Sequence, residues 1–265
     1  MQHKEIIIDN SKLAYRVWGE TSELTYLAFH GFGQNLMAFE ALAKATSNKQ
    51  FISVDLFYHG KSIWGKDKYI TSNNWKPFID RLIIENNVKS IAIIGFSLGA
   101  RLAVATTVLY PNRVKELCLI APDGIIQSPW FKLATSTVLM RGVFRLLMKH
   151  PWPLFGMVSI LLQIRLIHPN LAKFTESQLN NVETRQQLYL AWVGFRKIKF
   201  SPKQIKTIVA TQNIFLKLII SKNDMVVPYN EMNEAFINSP NCIIKKSYFK
   251  HHQLLTHVDW ILGTK

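Results

Sequence analysis

The sequence predicts an α/β fold: a mostly parallel sheet flanked by helices, with one helical segment inserted late in the chain. Three observations point there. Short apolar runs alternate with helical patterns, as strands buried on both faces do. That rhythm stops between about Ser128 and Phe200, where the pattern is helical throughout. Finally, the stretch IAIIGFSLGARLAV, residues 91 to 104, drives an apolar run into a serine flanked by glycines and then into a helical pattern.

The strand-like runs are EIIID at 5–9, LAYRVW at 13–18, TYLAFH at 25–30, FISVDL at 51–56, SIAIIG at 90–95, ELCLIA at 116–121, FLKLII at 215–220 and CIIKKSYF at 242–249. Only a short polar turn separates the first two, which allows an antiparallel hairpin at the sheet edge. Helical patterns lie between the others, for example at 36–46 and 97–110. The expected organisation is a core of 1–127 and 201–265, with a helical cap at 128–200 between core strands six and seven. At 265 residues, with 48% hydrophobic and 18% charged residues, the chain can build one sizeable core and is not disordered.

Charge narrows the partners. The chain carries 32 Lys and Arg against 17 Asp and Glu, a formal net charge of +15. The cap segment holds ten of the cations and only two acids, Glu176 and Glu183. A basic face of this kind suits an anionic surface or anionic substrates, or is simply solvated. No zinc-finger spacing, aromatic RNA-binding signature or dense basic run occurs, so no nucleic-acid partner is expected. The apolar segment WPLFGMVSILLQI, 152–164, falls short of the roughly 20 residues a membrane span needs and reads as a buried or membrane-touching helix. The opening MQHKEIIIDN lacks the apolar run of a signal peptide, and the two cysteines, Cys118 and Cys242, make no disulfide framework. A cytoplasmic protein is the expectation. Oligomeric state is not legible.

The glycines around Ser97 have a physical reading. A sharp strand-to-helix turn holds its central residue at strained backbone angles, and only small neighbours avoid clashing with it. The helix that follows would aim backbone N–H groups, Leu98 among them, at developing negative charge. His30-Gly31-Phe32-Gly33 follows the third apolar run and can present the Phe32 N–H to the same charge, completing an oxyanion hole.

These motifs, with Asp55-Leu56-Phe57-Tyr58-His59-Gly60-Lys61-Ser62 after the fourth run, resemble the α/β-hydrolase superfamily across essentially the whole chain. The middle block is similar to that family's D-x-x-G-x-G-x-S, with Tyr58 and His59 in place of small residues. The resemblance implies the α/β-hydrolase fold and a nucleophile, acid and base in chain order. Ser97 takes the nucleophile position. Asp224, just past the seventh run and before Val226-Val227-Pro228, takes the acid position, with Asp123 in APDG as its rival. In Lys250-His251-His252-Gln253-Leu254-Leu255-Thr256-His257 the family pattern places the base at His251, with His252 and His257 as alternatives.

The implied activity is hydrolysis of a carboxylic ester or thioester of a small apolar acyl group through an acyl-enzyme, with no metal and no cofactor. Trp130, Phe131, Phe144, Trp152, Phe155 and Trp192 could line an acyl pocket, or simply pack the cap. The run G-F-S-L-G-A-R also resembles the elbow of the superfamily's menaquinone-pathway synthase, a lyase in which Arg101 would help hold a polyanionic substrate. A non-enzymatic receptor on the same fold is the third class.

Overall fold

The computed structural model describes residues 3–66, 69–163, 179–256 and 261–263. The chain forms two compact units, Met1–Ile126 with Lys197–Lys265, and Gln127–Arg196.

Among the described residues, the first unit holds a single sheet of eight strands in the order β1-β2-β4-β3-β5-β6-β7-β8. β1 (Lys4–Ile8) and β2 (Ser11–Trp18) form the antiparallel hairpin that the short polar turn suggests, and β2 also runs antiparallel to β4 (Phe51–Val54). All remaining pairs are parallel, through β3 (Leu24–Phe29), β5 (Ser90–Phe96), β6 (Val114–Ile120), β7 (Phe215–Ser221) and β8 (Cys242–Ser247). β5 sits mid-sheet, and all its residues but Ser90 are buried, which is why it reads as an unbroken apolar run.

Helices Ser72–Glu85 and Gly99–Leu109 pack by their apolar faces. Trp75, fully buried on the first, donates its indole N–H to Thr106 Oγ1 on the second at 3.0 Å. Its ring meets Phe29 and Phe57 edge-on, so one large side chain joins helix, sheet and loop.

Local chemistry shifts two expected boundaries. The helix expected from Ser97 begins at Gly99, because Ser97 lies at φ +48°, outside helical space. β4 stops at Val54, because Asp55 turns its carboxylate onto the Leu36 and Lys61 amides at 2.7 and 2.8 Å.

The described part of the second unit is helical: Pro129–Thr135, Val138–Lys149, Trp152–Gln163 and Val182–Phe195. Its core is Phe144, Met148 and Leu179, with Leu147, Phe155 and Trp192 packed around them. Arg185 is buried there, and its guanidinium donates to the carbonyls of Met148, Leu179 and Asn180.

Candidate active site

Parallel strands deliver the ends of β3, β5, β7 and β8 to one edge of the sheet, where ligands of open α/β sheets bind. Phe32, Ser97, Asp224 and His251 each follow one of these strands, and all lie in the first unit.

Ser97 occupies the turn between β5 and the helix Gly99–Leu109. Its φ of +48° is a left-handed conformation that a non-glycine residue adopts only under constraint. The constraint is visible: its N–H donates to the Ile120 carbonyl at 2.9 Å, and its carbonyl accepts from Ala100 and Asp123 N–H at 3.0 and 3.1 Å. The flanking glycines let the helix come this close. A Cβ on Gly95 would lie 2.6 Å from Ala103 Cβ, and one on Gly99 would lie 2.1 Å from the Phe29 carbonyl oxygen.

The structure brings Ser97, His251 and Asp224 together. The Ser97 hydroxyl donates to His251 Nε2 at 2.9 Å, and His251 Nδ1–H donates to Asp224 Oδ2 at 2.7 Å. A carboxylate only accepts, so the bond to Asp224 places the ring proton on Nδ1 and leaves the Nε2 lone pair facing the serine. Asp224 is itself fixed, its Oδ1 accepting from Val226 and Val227 N–H at 2.7 and 3.1 Å. Phe96 packs against the His251 ring, centroids 5.1 Å apart. Of the alternatives, His252 is exposed, and His257 lies outside the described residues. Asp123 is engaged elsewhere, paired with Arg101.

The Phe32 and Leu98 N–H groups donate to no group among the described residues. The Phe32 turn is supported by residues of the same motifs, among them His30 and His59, which the sequence marks as loop or oxyanion-neighbour residues rather than bases. The Gly31 N–H donates to Gln34 Oε1 at 2.9 Å. The His30 ring is fully buried, donating from Nδ1 to the Gly31 carbonyl at 2.7 Å and accepting the Leu56 N–H on Nε2 at 3.0 Å. His59 packs edge-on against both His30 and Phe32. The signal for that support is two histidines beside glycines in runs that fold to one place.

His30 stands 4.0 Å from Asp55 Oδ1 without forming an ion pair, because its Nε2 lone pair is occupied by the Leu56 amide. Burial, helped by the neighbouring His59, pushes its pKa down to about 3. In the unfolded chain a histidine titrates at about 6.5. Between those values the unfolded state holds a proton that the folded state refuses, so stability falls as pH drops from about 6.5 toward 3. His30→Asn should flatten that dependence by up to about 1.4 kcal/mol per pH unit in urea melts over this window, whatever it does to stability at pH 7. An unchanged slope would contradict a neutral buried His30.

Arg101 is 2% exposed. Its Nε donates to Asp123 Oδ2 at 2.9 Å, and its Nη1 to the Ile198 carbonyl at 2.9 Å. It thus ties β6's exit loop to the segment that re-enters the first unit. In the second unit, Trp192 packs on Phe131 and Phe144 at 5.3 and 5.4 Å, inside that unit's own core, whereas Trp130 is exposed. Cys118 is buried, its thiol pushed up to about 12 by desolvation, so it is unreactive. Among the described residues no cluster of three or more His, Cys, Asp or Glu could hold a metal ion.

A family model for the α/β hydrolase fold matches residues 27–148. The chain is similar to "Probable lysophospholipase BODYGUARD 2" of Arabidopsis thaliana, 33% identical over 114 residues that make up 41% of this chain and 22% of that protein. It is also similar to "Serine hydrolase-like protein" of Danio rerio, 26% identical over 117 residues, 43% of this chain and 36% of that protein. The matched stretch therefore spans well under half of either relative. Among solved structures, MGS-M2, an α/β hydrolase enzyme from a Medee basin deep-sea metagenome library, superposes with a TM-score of 0.72 at 15% identity, covering 98% of this chain and 96% of that one. Strand order, elbow and matched model agree: this chain has the α/β-hydrolase fold.

Proposed function

We propose that this protein is a serine hydrolase that cleaves a carboxylic ester or thioester of a small apolar acyl group through an acyl-enzyme. The observation that carries this is the Ser97–His251–Asp224 hydrogen-bond chain at a strained elbow. His251 Nε2 takes the Ser97 proton as Oγ attacks the carbonyl carbon. The negative charge that develops on the carbonyl oxygen is received by the Phe32 and Leu98 N–H groups, the latter at a helix N-terminus. His251 then protonates the departing alkoxide or thiolate. Next it draws a proton from water, whose attack on the acyl carbon releases the acid and restores Ser97.

The helical segment 128–200 is assigned the part of a cap that selects the acyl group. The name of one relative, a probable lysophospholipase, favours esters over other carbonyl substrates. The lyase reading has no comparable support, because the Arg101 side chain it needs for a polyanion is buried against Asp123 and Ile198.

A panel of nitrophenyl esters and acyl thioesters of increasing chain length tests the substrate class. The expected result is turnover that peaks at one apolar chain length and is absent for charged acyl groups. No turnover of any ester or thioester by the folded wild type would refute the proposal.

A further inference from the structure

From Gln127 to Gln163 the chain carries Lys132, Arg141, Arg145 and Lys149 and not one acidic residue. The structure adds what composition cannot. The helix Val138–Lys149 is apolar on two sides. Phe144 and Met148 face the core of the second unit. Leu139, Val143 and Leu146, spaced i, i+4, i+7, make a second apolar stripe that faces outward, Leu139 being 72% exposed. Arg145 and Lys149 are exposed on the same helix, one turn apart.

The neighbouring helices repeat this pairing. Trp130 and Leu133 are exposed on Pro129–Thr135, with the exposed Lys132 between them, and Trp152, 73% exposed, opens Trp152–Gln163. Single exposed apolar residues are ordinary. Exposed leucines in helical register, two exposed tryptophans, interleaved cations and no anions are not.

We infer that this face docks on an anionic phospholipid surface, with Leu139, Val143, Leu146 and the two tryptophans in the headgroup–acyl boundary and Lys132, Arg145 and Lys149 on the headgroups. Charge selects this occupant. A protein partner would need an acidic, apolar face of its own. A bilayer containing anionic lipid offers both properties, and tryptophan favours that interface. The contact is peripheral, since among the described residues no helix is long and apolar enough to cross a membrane. It does not depend on the proposed ester chemistry, because it would hold in a catalytically silent protein.

The test is co-sedimentation of the full chain with vesicles of phosphatidylcholine mixed with phosphatidylglycerol, and of phosphatidylcholine alone. Binding is expected to the mixed vesicles and to fall steeply with salt. The triple variant Lys132→Gln, Arg145→Gln, Lys149→Gln should bind them about 100-fold more weakly, at about 1 kcal/mol per cation. Leu139→Asp with Leu146→Asp should bind at least about tenfold more weakly while keeping the wild-type circular dichroism spectrum, since both side chains are exposed. A variant whose spectrum changes is replaced by Leu139→Ser with Leu146→Ser, held to the same expectation. Equal binding to both vesicle types, or none to either, would overturn the inference. So would a dimer in sedimentation equilibrium that Leu139→Asp dissociates while vesicles are ignored, because a second copy would then be what covers this face.

Discussion

Ser97→Ala is expected to lower kcat/KM on the best ester by about 10⁶-fold, leaving the fold and melting temperature close to wild type. The size follows from the geometry. Ser97 Oγ is hydrogen-bonded to His251 Nε2, which in the proposed mechanism takes its proton, and a methyl group in its place would leave nothing to attack the carbonyl. His251→Ala should cost about as much, because serine and histidine act as one unit and their losses do not add. Asp224→Asn should cost less, about 10⁴-fold, since an amide can still face His251 Nδ1 but favours the wrong tautomer. The ordering is the informative part. Steady-state kinetics in which Asp224→Asn matched Ser97→Ala, or in which Ser97→Ala kept more than a hundredth of wild-type activity, would contradict the assignment.

Gly99→Ala should be strongly damaging, and it strikes beside Ser97 itself. The new Cβ would stand 2.1 Å from the Phe29 carbonyl oxygen, a backbone atom of β3 that cannot swing aside. The helix must lift from the sheet, at a cost of about 3 kcal/mol or more, the upper end of overpacking. A melting temperature lower by about 6–10 °C is expected. Ser97 would move with the helix, so activity should fall further than stability alone dictates. Gly142→Ala is the control: nothing lies within 4 Å of its added Cβ, on an exposed helical position. There the gain in helix propensity should stabilise by about 0.5–1 kcal/mol. If the two variants melt alike, close packing at the elbow is not what the glycine provides.

Much of this was legible because it is local. β5 after Ser90 and the last four residues of β6 are buried on both faces, so their apolar runs mark them within a residue or two, and the change of rhythm after β6 marks the helical stretch. The elbow could be read because a sharp turn from strand to helix needs a glycine on each side of its serine, and a surface loop does not. What depends on distant partners could not be read. The family pattern picks His251 over His252 and His257, but nothing local in the sequence shows what turns its ring toward Ser97. His251 is set toward Ser97 by the approach to it, where the Ser221 hydroxyl holds the Phe249 carbonyl and the Asn223 amide holds that of Tyr248.

Arg101 looked available to a ligand, yet its carboxylate partner is Asp123, on the loop after the next strand. Lys217 sits in the middle of FLKLII and is 5% exposed. Its ammonium donates to the Ile261 and Gly263 carbonyls at 2.8 and 2.7 Å, and desolvation lowers its pKa. Periodicity says only that this position should be apolar; the acceptors that permit a lysine arrive more than 40 residues later. The aromatic residues of the helical stretch divide in a similar way. Trp192 packs into that unit's core and Trp130 is exposed, a difference that residue type alone does not reveal.

The central claim is that Ser97 is an activated nucleophile. The most direct measurement is labelling with a fluorophosphonate at neutral pH, wild type beside Ser97→Ala, with the modified peptide identified by mass spectrometry. The prediction is one stoichiometric adduct on Ser97 in the wild type, none in Ser97→Ala, and slowed labelling in His251→Ala. An unlabelled wild type, or an adduct on any other residue that persists in Ser97→Ala, would contradict it.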